Sequence, residues 1–458
     1  MTSLRRSDVL FIALAILGVV VGAVLNPYVN TIGAQRAAAL VVVALVALAA
    51  VSLEVIQSLR NNCEPVDSTV QSTPPNSRLN LYLGLLGIAT SWIWLYRGWL
   101  THPTLFADDF HYILQSIDWE TARSNLLVPY NEHLVPATRI VTWILLQLDP
   151  VHPERPFAAF TVGMLLLTST LLFFFARRIG VGDFAGLVAV ASFVVSTSYS
   201  EVVTWYSASQ WLISVCLLLA SLLLVERPSD ARLAGAILLS ALAPWSYTIG
   251  VLVGPFTTFW LWTWHRRREA PSFLPALAGI ASSLVAVRLI RSSMTDPDYW
   301  KSGGHGMLEA FDPVGGLVYS ARLFVERLLP MDRLFGWFEA TPVRSIVVFA
   351  ALAVGAVAAL RAKPALARLW PIAVLIGLAY AITVPFRTWQ PYLGIVSWNR
   401  YQLIPSLGFS LLAAGVVGSF PRLRDAINRT MLLWFLMALA LWTIIQSGVV
   451  WPLLSRVI

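Results

Sequence analysis

Cysteine is almost missing from this chain: there are two in 458 residues, Cys63 and Cys216. Cys63 falls in a polar stretch and Cys216 inside an apolar run, so no disulfide is expected between them. Charge is also scarce, at 12% of residues against 57% hydrophobic, and the mean hydropathy is +0.71. Those values exclude an ordinary soluble globular domain. No repeat of fixed period is visible, which sets aside solenoids and arrays. Few charges lie in the middle of the apolar runs. A transporter or flippase tends to place ionisable groups at mid-depth on broken helices, often in repeated halves, so this scarcity weighs against one.

What the chain does have is long apolar runs. A run of about 17–25 residues is long enough to cross a bilayer as a helix. Such runs fall near residues 9–25, 36–58, 79–100, 157–176, 183–199, 205–225, 231–247, 249–264, 271–290, 343–361, 369–386, 401–419 and 430–450. The expected fold is therefore all-α, a polytopic membrane bundle of about 13 transmembrane helices. The two runs meeting near Pro244 suit a re-entrant hairpin as well as two full spans. The first run follows Arg5 and Arg6, and Val21-Gly22-Ala23 resembles a weak cleavage site. Its length and the close second run read as an anchor rather than a signal peptide.

Arginine placement sets the orientation. Arg5/Arg6, Arg177/Arg178, Arg227/Arg232, Arg266–Arg268, Arg361/Lys363/Arg368 and Arg422/Arg424/Arg429 occupy alternate loops. The positive-inside rule puts these loops and the N-terminus in the cytoplasm. The inner side then carries the whole net charge of +8 and the outer side none. The pI of about 9.7 is thus a topology signal, and no nucleic-acid partner is expected. Residues 1–60 read as an extra two-helix hairpin, 61–78 as a cytoplasmic linker, and 79–458 as the main bundle. That bundle includes two large outer loops, 101–156 and 291–344. Each contains a short amphipathic stretch, Pro136–Leu146 and Leu317–Leu329, expected to be an interfacial helix.

The polar residues that could carry chemistry lie at the outer boundary. Asp108 and Asp109 begin the segment Asp108-Asp109-Phe110-His111-Tyr112. A helix starting there places Asp108 over His111 and Tyr112. One Asp explains a helix cap; two beside a histidine also suit a general base or a metal ligand. In Asn131-Glu132-His133, Glu132 and His133 could join the Asp pair. Asp109, Glu132 and His133 then make a candidate divalent-metal site for Mg²⁺ or Mn²⁺, although the spacing matches no specific metal motif. Glu201 and Trp205 share one helix face at an outer junction, with a capping role open to the glutamate. Arg400, followed by Tyr401, opens a late span from the outside. It can snorkel, or clamp a phosphate with its planar fork.

Taken in order, these features resemble the GT-C superfamily of integral-membrane glycosyltransferases. That group includes the protein O-mannosyltransferases, the aminoarabinose transferases of lipid A and the mycobacterial arabinosyltransferases. The resemblance covers roughly residues 79–420. It rests on the loop Asp-Asp pair, Glu201-x-x-x-Trp205 and Arg400-Tyr401-x-x-x-Pro405. It implies transfer of a sugar from a polyprenyl-phosphate donor to a lipid, glycan or protein acceptor on the outer face of the membrane. It also implies a home in the bacterial cytoplasmic membrane. The family's first loop acid maps to Asp108, which becomes the expected general base with Asp109 beside it. His111, Glu132, His133 and Glu201 are expected to position acceptor or metal. Arg400 and Tyr401, with Lys301, His305 and Arg322 behind them, are expected at the donor phosphate. The competing expectations are a transporter or flippase of lipid-linked sugars and a non-catalytic envelope-assembly subunit.

Overall fold

A computed structural model describes residue 99 and residues 102–129, 133–194, 196–226, 229–264, 272–293, 312–328, 341–362, 369–385 and 399–419. The expected spans at 9–25, 36–58 and 430–450, the linker 61–78, and Glu132, Lys301 and His305 lie outside the described residues, as does 79–100 apart from Trp99. Residues 103–420 belong to one compact unit. Every regular element among the described residues is helical.

The first large loop, expected on the outer side, contains three short helices: α1 (Ala107–Leu114), α2 (Trp119–Asn125) and α3 (Pro136–Leu148). Local chemistry starts each one. Asp109 reaches back to the Phe106 N–H at 3.0 Å and caps α1. Asp118 caps α2 through the Thr121 N–H at 2.7 Å. Pro136 opens α3, where its missing N–H costs nothing. α4 (Glu154–Arg178) begins with an acid and ends with Arg177 and Arg178, both matched to the helix dipole. Gly180 and Gly182, each at φ 84°, then turn the chain into α5 (Gly182–Val194).

After α5 the path is irregular. A 3₁₀ turn at Thr197–Tyr199 leads to α6 (Ser200–Thr204), an extended Trp205, a second 3₁₀ turn at Tyr206–Ser209 and then α7 (Gln210–Val225). α8 (Asp230–Leu242) and α9 (Val253–Trp264) are joined through 3₁₀ turns at Ala243–Trp245 and Thr248–Leu252. That turn is tight. A Cβ on Gly250 would sit 2.1 Å from the Ala243 carbonyl oxygen, so only glycine fits. α10 (Leu274–Ser293), α11 (Pro313–Leu323, continued by a π turn to Leu328), α12 (Pro342–Ala362) and α13 (Trp370–Ala381) follow. A 3₁₀ turn at Asn399–Gln402 opens α14 (Leu403–Ser419).

α7 is the hub of this packing. It lies against α4, α8 and α9; α5 bridges α4 and α14; and α10 packs on both α8 and α9. Small hydroxyls join the interior helices, as expected where apolar burial against lipid gives little drive. Ser221 on α7 meets Thr257 on α9 at 2.9 Å, and Ser214 meets Ser246 at 3.0 Å.

Three helical segments among the described residues are long and apolar enough to cross a membrane: Glu154–Arg178, Tyr206–Val225 and Arg400–Gly418. Shorter apolar helices lie within α5, α10, α12 and α13. The runs expected as spans at 231–247 and 369–386 form α-helices of only 13 and 12 residues. The physical reason is clearest near residues 195–199 and 243–252. There serines, Pro244 and Gly250 favour 3₁₀ turns over continued α-helix. The architecture is thus all-α, with several long apolar helices consistent with a membrane bundle.

Candidate functional site

The site grows from the first turn of α1. Asp109 is fully buried. One of its oxygens accepts the Phe106 N–H at 3.0 Å, and the other accepts the Ser207 N–H at 2.8 Å. The second bond spans from the first outer loop to the turn before α7. Burial lifts the Asp109 carboxyl to about 6, and the Asp108 charge adds to that lift against the two backbone N–H groups. Next to Ser207, Tyr206 stacks on Phe157 of α4 at 3.9 Å and bonds Thr142 of α3 at 2.9 Å. Asp109 is therefore a latch in a packed joint. Asp108, one residue earlier, is only half-buried.

A second centre lies where α6 meets the turn opening α14. Glu201 holds Arg400 twice: Oε1 accepts from the guanidinium at 2.8 Å, and Oε2 from the Arg400 backbone N–H at 3.1 Å. The Arg400 guanidinium lies over Trp205 at 5.2 Å and Tyr401 at 5.7 Å. Burial raises the Glu201 carboxyl, more than Arg400 lowers it, and Asp108 adds to the rise. The five residues between Glu201 and Ser207 thus connect the ion pair to the Asp109 latch.

His133 joins from a third direction. Its Nδ1 meets Thr248 Oγ1 at 2.6 Å and its Nε2 meets the Tyr247 hydroxyl at 2.9 Å, with the two rings 4.3 Å apart. Tyr247 packs on Trp211 at 5.2 Å, and Trp211 on Tyr401 at 5.7 Å. An aromatic chain therefore runs from His133 to the residue beside Arg400. The second outer loop also reaches this region, because the Ser198 hydroxyl donates to the Arg327 carbonyl at 2.7 Å.

Glu201 is thus brought to Arg400 and Asp109 to Ser207, with His133 linked to Tyr401 through Tyr247 and Trp211; Asp108 precedes Asp109 on α1. His111 sits on α1, two residues past Asp109. Burial, and then the Arg139 charge, pulls its imidazole below the usual range, so it is neutral. Arg322 is ion-paired along its own helix with Glu326 at 3.1 Å.

Two contributors are not apparent from sequence. Arg139 is fully buried on α3. Its Nε and Nη2 bond Gln115 Oε1 at 3.1 and 2.7 Å, and its Nη1 bonds the Leu126 carbonyl at 3.4 Å. Its one visible signal is that it is the only charge in an apolar stretch. Tyr247 follows Pro244-Trp245-Ser246, where the run simply reads as a turn.

Among the described residues no three His, Cys, Asp or Glu side chains gather as a ligand set. Of the three residues expected to hold a divalent ion, Glu132 is outside the described residues. Asp109 spends both oxygens on backbone N–H groups, and both nitrogens of His133 face hydroxyls. No family model matches the chain, and no curated protein and no solved structure matches it either.

Proposed function

We propose that this chain is a GT-C-type membrane glycosyltransferase, moving a sugar from a polyprenyl-phosphate donor to an acceptor at the outer face of the membrane. The observation that carries the reading is the Glu201–Arg400 pair, bracketed by Trp205 and Tyr401, on the same turn that Asp109, next to half-buried Asp108, holds through Ser207. A base and a cation in adjoining positions are what the transfer needs at its two ends.

In this reading Asp108 accepts the proton of the acceptor hydroxyl as that oxygen attacks the anomeric carbon. The bond from that carbon to the phosphate oxygen breaks, and polyprenyl phosphate leaves with the electron pair. Arg400 stabilises the charge gained by the phosphate. A guanidinium has five N–H donors, so it can hold Glu201 and a phosphate oxygen together. Glu201 fixes the direction of Arg400, Asp109 fixes α1, and Tyr401 and Trp205 confine the guanidinium. Lys301, His305 and Arg322 of the second outer loop are proposed as further cations on the phosphate side. No step is routed through a divalent ion, because two of its three proposed ligands are engaged elsewhere.

The reading includes about 13 spans, with both large loops outside, in a bacterial cytoplasmic membrane. The test is to incubate the purified protein with a panel of polyprenyl-phosphate sugars and candidate acceptors. Release of polyprenyl phosphate together with a glycosylated acceptor supports the reading. Binding of these lipids without release, combined with their movement across proteoliposomes, would favour a flippase instead.

A further inference from the structure

α1 and α3 are inside out. On α1 the buried positions are Asp109 and Tyr112, and Ser116 just beyond the helix is buried with them. On α3 they include Thr138, Arg139 and Thr142, at 3%, 0% and 0% exposure. The exposed positions are apolar except for Gln147 on α3. Phe106, Phe110 and Leu114, four residues apart, are 47%, 53% and 68% exposed; Ile140, Ile144 and Leu148, again four apart, are 38%, 46% and 71% exposed. A helix packed on a protein in water shows the reverse, with its apolar stripe inward. Here each helix turns an apolar ridge to the surroundings and buries polar residues, on α3 together with Leu145 and Leu146, which cluster with Phe157 and Tyr206.

We infer that the Phe106-Phe110-Leu114 and Ile140-Ile144-Leu148 ridges are immersed in bilayer hydrocarbon, making α1 and α3 a lipid-facing wall of the candidate site. Three observations choose this occupant. First, α3 runs within a few residues into α4, a full-length candidate span. Second, the short link between them carries a polar knot, with Arg155–Asp149 at 3.8 Å and His152–Glu154 at 3.2 Å, as suits headgroup level. Third, α2, between these helices in sequence, exposes mainly polar residues; its exposed aromatic, Trp119 at 46%, packs on Trp143 of α3 at 5.0 Å. Its Glu120, Arg123 and Ser124 are exposed and its Ala122 is buried. At 13 residues α3 is about 20 Å long, too short to cross, so it lies along the boundary. The inference stands whether or not Asp108 is a base. It adds that a substrate with a lipid tail meets the site's wall without leaving the bilayer.

The test uses the full chain with Cys63→Ser and Cys216→Ser, reconstituted into phosphatidylethanolamine–phosphatidylglycerol vesicles. Single cysteines at 110, 114, 144 and 148 receive a nitroxide, with 120 and 124 as comparison positions. Collisions with oxygen should exceed those with a water-soluble nickel chelate several-fold at the four ridge positions, and the order should reverse at 120 and 124. Ridge labels dominated by the nickel chelate would mean a water-facing surface and overturn the inference. Immobile labels that neither reagent reaches would mean that a protein surface, such as a second copy, covers the ridge, and would overturn it equally. If labelled variants fail to fold, an apolar carbene precursor dissolved in the same vesicles, applied to the unmodified protein, should label the peptides containing 106–114 and 140–148. Sparing of both would refute the wall.

Discussion

At the scale of single residues, the two neighbouring aspartates have different jobs. Asp109 is buried with both oxygens on backbone N–H groups, and its carboxyl is raised from 3.8 to about 6. A folded-state value above the unfolded one means that the folded chain holds the extra proton between these limits. The Asp109 contribution to stability is therefore greatest at or below about pH 4 and declines as pH rises toward 6, by on the order of 3 kcal/mol in all. Thermal unfolding of detergent-solubilised protein should show that decline between pH 4 and 6, and Asp109→Asn should flatten it. An unchanged slope in the variant would assign the titration to another group. The Glu201–Arg400 pair gives a second residue-scale prediction. Arg400→Ala strands a buried carboxylate and should cost about 3–5 kcal/mol. Adding Glu201→Gln to it should recover part of that loss, and a double-mutant cycle measures the coupling. Both acids and Arg400 were legible in the sequence, since a charge at the edge of an apolar run is visible. Their partners were not. Nothing local says that Asp109 bonds Ser207, 98 positions away.

At the scale of elements, Arg139 holds the first outer loop together. Through Gln115 it ties the end of α1 to α3, and through the Leu126 carbonyl it ties in the end of α2. Arg139→Ala removes the donor from these two half-buried acceptors, at up to about 1–3 kcal/mol each. The expected result is a loop that is cleaved faster by protease near residues 115–128, with the long apolar helices unaffected. Equal cleavage rates in variant and wild type would show that the loop does not depend on this arginine. The expectation of an interfacial helix over Pro136–Leu146 follows from length and apolarity, and α3 occupies that region. Which face it buries did not follow. A period-3.6 pattern gives the stripes but not the solvent each one faces, and near a membrane the usual assignment inverts. The breaks at 195–199 and 243–252 were only partly legible. Pro244 marked one, but Gly250 and the serines became decisive only once the chain folded back on itself.

At the scale of the whole molecule, the account joins an outward-facing reaction to a membrane bundle. The proposed orientation, from the positive-inside rule, has residues 121 and 302 outside and 267 inside. A membrane-impermeant thiol reagent applied to intact cells should modify Thr121→Cys and Ser302→Cys but not Arg267→Cys, in a background lacking Cys63 and Cys216. Modification at 267 would put the loops on the wrong side. The central claim is that Asp108 is the base of a sugar transfer, and the most direct measurement compares Asp108→Asn with the unaltered protein in the polyprenyl-phosphate release assay. The substitution keeps size and hydrogen bonding but removes basicity. Transfer should fall on the order of 10²–10⁴-fold while yield and thermal stability hold. Near-normal transfer by Asp108→Asn would contradict the claim.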